Sequence, residues 1–378
     1  MKEISIYIHI PFCIRKCNYC DFISFSDMND KIPKYVKSIK AELELYKEKL
    51  HDYTIKTIFI GGGTPSSIDG RYIYDILDYL YGNLTISKYP EVTIEVNPGT
   101  LDREKVRIYK ETGINRVSMG VQSFNDNILK YIGRIHKVED VYESYSLLRK
   151  EGFENINMDL IFGLPNQTLN DVLFSIREAV NLGVEHISHY SLIIEEGTNF
   201  YELYKAGKLN LPDEDEERIM YHRATEYLIE SGFNHYEISN YALPGFECKH
   251  NLVYWDLLPY LGIGLGSHSY MGNKRFYNTS NIDNYIEKIN KKELPIEGEE
   301  LIDRQTAMEE FCILGIRKIK GIDKKEFKRR FNVEIEDIYD DVIKKHVGDG
   351  LLIDDGDYIR LTKRGLDLSN LVEIDFLR

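Results

Sequence analysis

The chain has 378 residues, 43% of them hydrophobic and 29% charged, a length that calls for more than one hydrophobic core. Its net charge of −14 disfavours binding to the phosphate backbone of nucleic acids, and no stretch approaches the ~20 apolar residues of a membrane span. Five cysteines, three of them within eight residues, speak against a disulfide framework, and with no secretory signal read at the N-terminus they fit a reducing cytoplasm.

In chain order, the first two hundred residues alternate short apolar strands with amphipathic helices, the rhythm of a parallel βα fold. Strands are expected at 4–10, 55–60, 92–97, 115–122, 155–162 and 186–194. The first helix sets Tyr35, Ile39, Leu43, Tyr46 and Leu50 on one stripe. A later helix opens at Thr168-x-x-Asp171, turns Val172, Ile176 and Val180 inward and stops at Gly183.

Four of these strands have one polar face, which buried parallel strands ordinarily lack. Ile4, Ile6, Ile8 and Ile10 alternate with Ser5, Tyr7 and His9, and Val92, Ile94 and Val96 with Thr93, Glu95 and Asn97. Val117, Met119 and Val121 alternate with Ser118, Gly120 and Gln122, and Ile156, Met158 and Leu160 with Asn157 and Asp159. Side chains alternate across a strand, so the economical solution is a partial barrel of six βα units around a hydrophilic, ligand-holding lumen. Strands two and six carry no clear alternation. Past the barrel (1–232), the sequence predicts a helix near 214–231 and an irregular linking region at 233–300. A compact α+β domain of winged-helix type is expected over 301–378, with a turn at Asp354-Asp355-Gly356-Asp357.

The chemistry concentrates in Cys13-Ile14-Arg15-Lys16-Cys17-Asn18-Tyr19-Cys20, a C-x₃-C-x₂-C loop directly after strand one. Three thiolates in one loop can each hold one iron of a [4Fe–4S] cube and leave the fourth iron open to a ligand. Zinc, completed by His9, is the alternative, although no second C-x-x-C pair follows. Tyr19 is placed to pack on a flat ligand ring. Gly61-Gly62-Gly63-Thr64-Pro65-Ser66 ends strand two, where glycines let backbone approach a ligand closely. Glu95, Gln122 and Asp159 lie near the C-terminal ends of successive strands, and Arg134 follows strand four. Carboxylates and an amide suit ribose hydroxyls and an amino group, and an arginine suits a carboxylate.

Taken together, these residues resemble the radical S-adenosylmethionine superfamily. Within it, Tyr7-Ile8-His9-Ile10-Pro11-Phe12-Cys13, the cysteine loop, Gly61–Pro65 and Glu95-Val96-Asn97-Pro98 resemble the HemN/HemW group nearly end to end, including Leu361–Gly365. The group holds oxygen-independent coproporphyrinogen III dehydrogenases and haem chaperones. The dehydrogenases carry a further cysteine two residues after the third, where this chain has Phe22, and His250-Asn251-Leu252-Val253-Tyr254-Trp255 matches the H-N-x-x-Y-W motif of the chaperone branch.

The resemblance implies cluster ligands Cys13, Cys17 and Cys20. It implies S-adenosylmethionine contacts at Tyr7, Tyr19, Gly62, Gly63, Thr64, Glu95, Gln122, Arg134 and Asp159. His250 is the favoured axial ligand for haem and Cys248 a second haem contact, with His136, His186 and His189 behind them and Trp255 read as packing. The implied function is a cytoplasmic haem chaperone that passes haem to an acceptor protein, respiratory or membrane-associated, and a homodimer is compatible with it. Neither membrane insertion nor nucleic-acid binding is expected. A radical dehydrogenase of coproporphyrinogen III is the alternative. A methyltransferase or tRNA-modifying enzyme is a third reading, supported only by the basic run Arg317, Lys318, Lys320, Lys324, Lys325, Lys328, Arg329 and Arg330, otherwise a solvated helix face.

Overall fold

Six parallel strands pair in chain order: β1 (Lys2–Ile10), β2 (Tyr53–Gly62), β3 (Ile86–Val96), β4 (Arg116–Gln122), β5 (Ile156–Phe162) and β6 (His186–Ser191). The structure is a computed structural model that describes residues 1–378. On the outer face of the strands, Ile4, Ile6, Ile8, Ile10, Ile58, Ile60, Val92 and Ile94 share one core with the stripe Tyr35, Ile39 and Leu43 of helix Ile32–Leu50. The inner face is polar: Ser5 meets Thr57 at 2.7 Å across β1 and β2, and Ser118 meets Asp159 at 3.0 Å across β4 and β5. Strands β1 and β6 do not pair, so the six units form an open barrel with a hydrophilic lumen, as the alternation predicts.

Strands β2 and β6 share that polar face. Thr57 and His186 point inward and bond the rest of the lining. Phe59 in the lumen and His189 on the outer face break the polarity alternation that would have shown this in the sequence.

The 233–300 stretch corrects the expectation of irregular structure. It forms β7 (Asn234–Glu237), β8 (Asn240–Ala242), β9 (Tyr260–Ile263), β10 (His268–Met271), β11 (Lys274–Asn278) and β12 (Ile296–Leu301). These extend the barrel sheet at both edges to twelve strands, in the order β12-β11-β10-β9-β1-β2-β3-β4-β5-β6-β8-β7. Elements of 3 to 6 residues are too short for period-two patterning to register.

The C-terminal residues form β13 (Ile322–Asp323), β14 (Leu352–Asp354) and β15 (Tyr358–Leu361), a three-stranded antiparallel sheet joined at the 354–357 turn. Helices Arg304–Gly315, Lys324–Phe331 and Glu336–Gly348 pack on it around Phe311, Phe327, Tyr339 and Ile359. This second core also takes in Leu257, just past the helix Lys249–Trp255 that carries the H-N-x-x-Y-W motif. Arg330 donates to the carbonyls of Asp256 (2.8 Å) and Leu257 (3.1 Å).

The basic run is spent on such contacts. Arg317 lies 4.7 Å over the Trp255 ring, Lys318 pairs with Asp256 and Lys320 lies 4.5 Å over Tyr358. Lys324 pairs with Glu336 and Asp354, Lys325 with Asp357, Lys328 with Glu334, and Arg329 and Arg330 with Glu326. With its cations held in ion pairs or over aromatic rings, the run reads as a solvated helix face rather than as support for RNA binding. No helix is long and apolar enough to cross a membrane.

Candidate functional site

The cysteine loop is built as a closed turn on the C-terminal end of β1. Cys13 N–H donates to Phe25 O (2.9 Å) and Phe25 N–H to Pro11 O (2.7 Å), so the loop leaves and returns at one point. Its far side is pinned by Asn18, whose backbone N–H donates to Ile132 O (3.0 Å) and whose Nδ2 donates to Tyr131 O (2.9 Å). Cys13 is buried, Cys17 and Cys20 are half-buried, and none forms a disulfide. The Thr64 hydroxyl reaches Cys13 Sγ at 3.4 Å, and Arg134 Nη1 reaches Cys17 Sγ at 3.6 Å.

The triple glycine answers to this packing. A Cβ on Gly63 would stand 2.9 Å from Phe12 O and 3.0 Å from Cys13 Sγ, and one on Gly62, at φ +114°, would stand 2.5 Å from the His9 ring. Strand two therefore ends flush against the cysteine loop.

Both features open on one cavity of about 460 Å³ at the mouth of the lumen. Cys13, Cys17, Cys20, Tyr19, Gly62, Gly63, Thr64, Glu95, Gln122, Arg134 and Asp159 all line it. Tyr7 does not: it lies deeper, with its hydroxyl 3.0 Å from His9 Nδ1 and its ring stacked on Phe59. Asn97 and Ser118 line the cavity without having been singled out as site residues. Asn97 bonds both Arg134 (2.7 Å) and Thr64 (2.9 Å), and the polar face of strand three was the signal that could have found it.

The electrostatics leave this site short of partners. Glu95 accepts one hydrogen bond, from Gly62 N–H at 3.0 Å, and burial, then the Asp159 carboxylate, raises its pKa to about 8. Burial likewise raises Asp159, against hydrogen bonds from neighbours including Asn157 and Ser118. Arg134 bonds Asn97 and Gly120 O through one end of its guanidinium, while its buried Nε has no partner. A site with acids, an arginine and a glycine edge suits a ligand that bears amino, carboxylate and hydroxyl groups.

Burial raises the Cys13 thiol and pushes Cys20 up to about 11, so the chain alone does not hold three thiolates; coordinated iron would. The zinc alternative finds no support in the geometry. His9 is spent on Tyr7 and on Ile23 O (2.8 Å). A cube asks for something else, one thiolate at each of three separate corners, and the residues present fit a cluster with a ligand beside it.

The structure does not bring His250 or Cys248 to the cavity. Helix Lys249–Trp255 plugs the opposite end of the lumen. His250 is 1% exposed, with Nδ1 2.7 Å from Thr57 Oγ1 and Nε2 2.9 Å from the Tyr254 hydroxyl. Both ring nitrogens are thus engaged by protein hydroxyls in this structure, away from the cavity. Cys248 is fully buried, 3.8 Å from Glu91. Of the other histidines, His136 faces Val121 O, His186 is locked between Asn157 and Tyr236, and His189 is buried against Phe162.

The radical SAM superfamily matches residues 7–179 and the HemN C-terminal domain matches residues 302–368. Heme chaperone HemW of Bacillus subtilis (strain 168) is 39% identical over 374 residues, 99% of each chain. The chain belongs to the HemW family of radical SAM proteins. Heme chaperone HemW of Lactococcus lactis subsp. lactis is 38% identical over 380 residues, 100% of this chain and 98% of that one. Radical SAM membership implies a [4Fe–4S] cluster and S-adenosylmethionine. Among solved structures, coproporphyrinogen III oxidase (HemN) from Escherichia coli superposes with a TM-score of 0.87 at 21% identity, over 100% of this chain and 90% of that one. The fold is thus shared from end to end, the C-terminal domain included.

Proposed function

We propose that this chain is a haem chaperone that holds a [4Fe–4S] cluster on Cys13, Cys17 and Cys20, seats S-adenosylmethionine in the lumen mouth, binds haem and passes it to an acceptor protein. The observation that carries the reading is the single cavity shared by the three cysteines, the glycine edge and Glu95, Gln122, Arg134 and Asp159. The full-length likeness to proteins named heme chaperones supplies the haem.

When bound, cluster and cofactor together supply reductive chemistry at a sulfonium. The chain's part is to place them. Glu95 takes the amino group, Asp159 and Gln122 take hydroxyl and ring donors, and Gly62 and Gly63 let the ligand lie along the backbone. Arg134 holds Asn97 and faces Cys17, tying the polar half of the site to the cluster half. The reading places the chain in the cytoplasm, where five cysteines without a disulfide fit a reducing environment. Its partner is a haem acceptor.

A second reading, dehydrogenation of coproporphyrinogen III, draws on the shared fold. Phe22 stands against it, 61% exposed on the cavity wall where the dehydrogenases carry a cysteine. Anaerobically reconstituted protein titrated with haem should give a Soret band that saturates at one haem per chain, and the haem should move to an apo-haemoprotein. No saturable haem binding, or protoporphyrinogen formed from coproporphyrinogen with cofactor and reductant, overturns the proposal.

A further inference from the structure

A continuous line of hydrogen bonds runs the depth of the lumen, from the mouth to the helix that plugs its floor. Asn157 Nδ2 donates to Asp159 Oδ1 at 2.8 Å and to Ser118 Oγ at 2.7 Å. Asn157 Oδ1 meets His186 Nδ1 at 2.6 Å, and His186 Nε2 meets the Tyr236 hydroxyl at 2.7 Å. That hydroxyl accepts the backbone N–H of Cys248 at 3.3 Å, and Cys248 is the N-cap of helix Lys249–Trp255. Asn157 is 1% exposed and His186 fully buried, so the bonds between these two and towards Asp159 are shielded from water, while Tyr236 is half-buried.

The line has a direction. An ionised carboxylate only accepts, so Asn157 turns its amide nitrogen to Asp159 and its oxygen to His186. His186 Nδ1 must then carry the proton, which leaves Nε2 as an acceptor and makes Tyr236 the donor. Tyr236 in turn has its oxygen free for Cys248 N–H. Every donor therefore points from the floor towards Asp159, and aligned bonds in a dry interior reinforce one another. Asp159 lines the cavity, and a carboxylate has about four acceptor sites against hydrogen bonds from Ser188, Asn157 and Ser118, so a ligand donor there can add to the line rather than compete with it.

We propose that His186 and Tyr236 are positioning residues that fix Asp159 for the cofactor and, through the same bonds, make cofactor binding tighten the helix carrying the H-N-x-x-Y-W motif. The inference rests on the reading that S-adenosylmethionine occupies this cavity. Linkage then demands reciprocity. The factor by which a seated floor strengthens cofactor binding is the factor by which the cofactor suppresses unseating of the floor.

Hydrogen exchange on the cluster-loaded protein, with and without saturating S-adenosylmethionine, reads the second factor directly. The amides of Cys248, Lys249 and His250 should exchange about three- to tenfold more slowly with cofactor, the worth of one buried hydrogen bond. Tyr236→Phe should weaken S-adenosylmethionine binding by a similar factor and abolish the cofactor's effect on exchange. Thr57→Val cuts the separate Thr57–His250 bond. It should speed exchange in the helix but keep the cofactor response and the wild-type affinity. A purely structural Tyr236 would behave as Thr57 does, and that result overturns the proposal. So does wild-type protein that binds S-adenosylmethionine without slowing these amides, a measurement that needs no variant. Failure of the wild type to bind S-adenosylmethionine at all sinks both this proposal and the functional reading beneath it.

Discussion

Glu91 and His250 meet at the floor of the lumen, where Glu91 Oε1 accepts the backbone N–H of His250 at 2.9 Å and Oε2 accepts that of Lys249 at 3.1 Å. A carboxylate from strand β3 thus satisfies the orphan donors that open helix Lys249–Trp255, and it favours the positive end of the helix dipole. Glu91→Ala leaves the buried His250 donor and the partly buried Lys249 donor unpaired and should lower stability by about 2–3 kcal/mol. Glu91→Gln, which keeps one acceptor, should cost about half as much. Urea unfolding of the two variants beside the wild type gives both values, and a Glu91→Gln protein as stable as the wild type would show that the carboxylate charge matters little.

Gly63 is held to glycine by the cysteine loop. The Cβ of Gly63→Ala would fall 2.9 Å from Phe12 O and 3.0 Å from Cys13 Sγ, so backbone must shift where the first thiol sits. The variant should fold but take up markedly less iron and sulfide on anaerobic reconstitution. Gly82→Ala is the matched comparison. Its Cβ meets nothing within 4 Å on helix Gly70–Asn83, so iron uptake should be unchanged and stability should rise by about 0.5–1 kcal/mol.

The barrel and its polar lumen were legible because alternation in β1, β3, β4 and β5 is a purely local signal. Residues such as Glu95 and Asp159 could be placed at one mouth from strand register alone. The floor was not legible. Glu91 binds a helix whose first residues lie 157 to 159 positions further along the chain, and no local pattern encodes such a contact. The H-N-x-x-Y-W motif was visible as a motif, yet whether His250 points to a ligand or to Thr57 depends on that long-range docking. The partners of the basic run were not legible for a related reason, since the carboxylates Glu336, Asp354 and Asp357 that pair with it arrive from other elements.

Glu42 makes stability depend on pH. It is fully buried, accepting from Gly264 N–H (2.8 Å), Asn278 Nδ2 (2.6 Å) and the Tyr285 hydroxyl (2.5 Å), and burial outweighs those bonds to raise its pKa to about 7. A carboxyl with a raised folded-state pKa holds a proton that the unfolded chain has released. Its contribution is fully present below about pH 4.5 and is lost as pH rises towards about 7, beyond which it is flat. The wild type should therefore lose stability over that window relative to Glu42→Gln, which cannot titrate. Denaturant unfolding at pH 5 and pH 8 for both proteins measures the difference, and parallel pH profiles would remove Glu42 as its source.

The five cysteines should separate cleanly by role. Cys13, Cys17 and Cys20 share the cavity, whereas Cys248 lies behind the lumen floor and Cys312 in the C-terminal core, each fully buried. Alanine at any of the first three should abolish stable cluster assembly, because two thiolates leave two corners of the cube without a protein ligand. Alanine at Cys312 removes only a small buried sulfur packed beside Phe311 and Tyr339. It should lower stability by about 1 kcal/mol while leaving iron content at the wild-type level. Cys248→Ala should likewise keep its iron, since the helix N-cap is held through the Cys248 backbone N–H rather than its thiol. Iron and sulfide assays on all five variants, reconstituted side by side, decide the assignment. Full cluster content in a Cys17→Ala protein, or its loss in Cys312→Ala, would refute it.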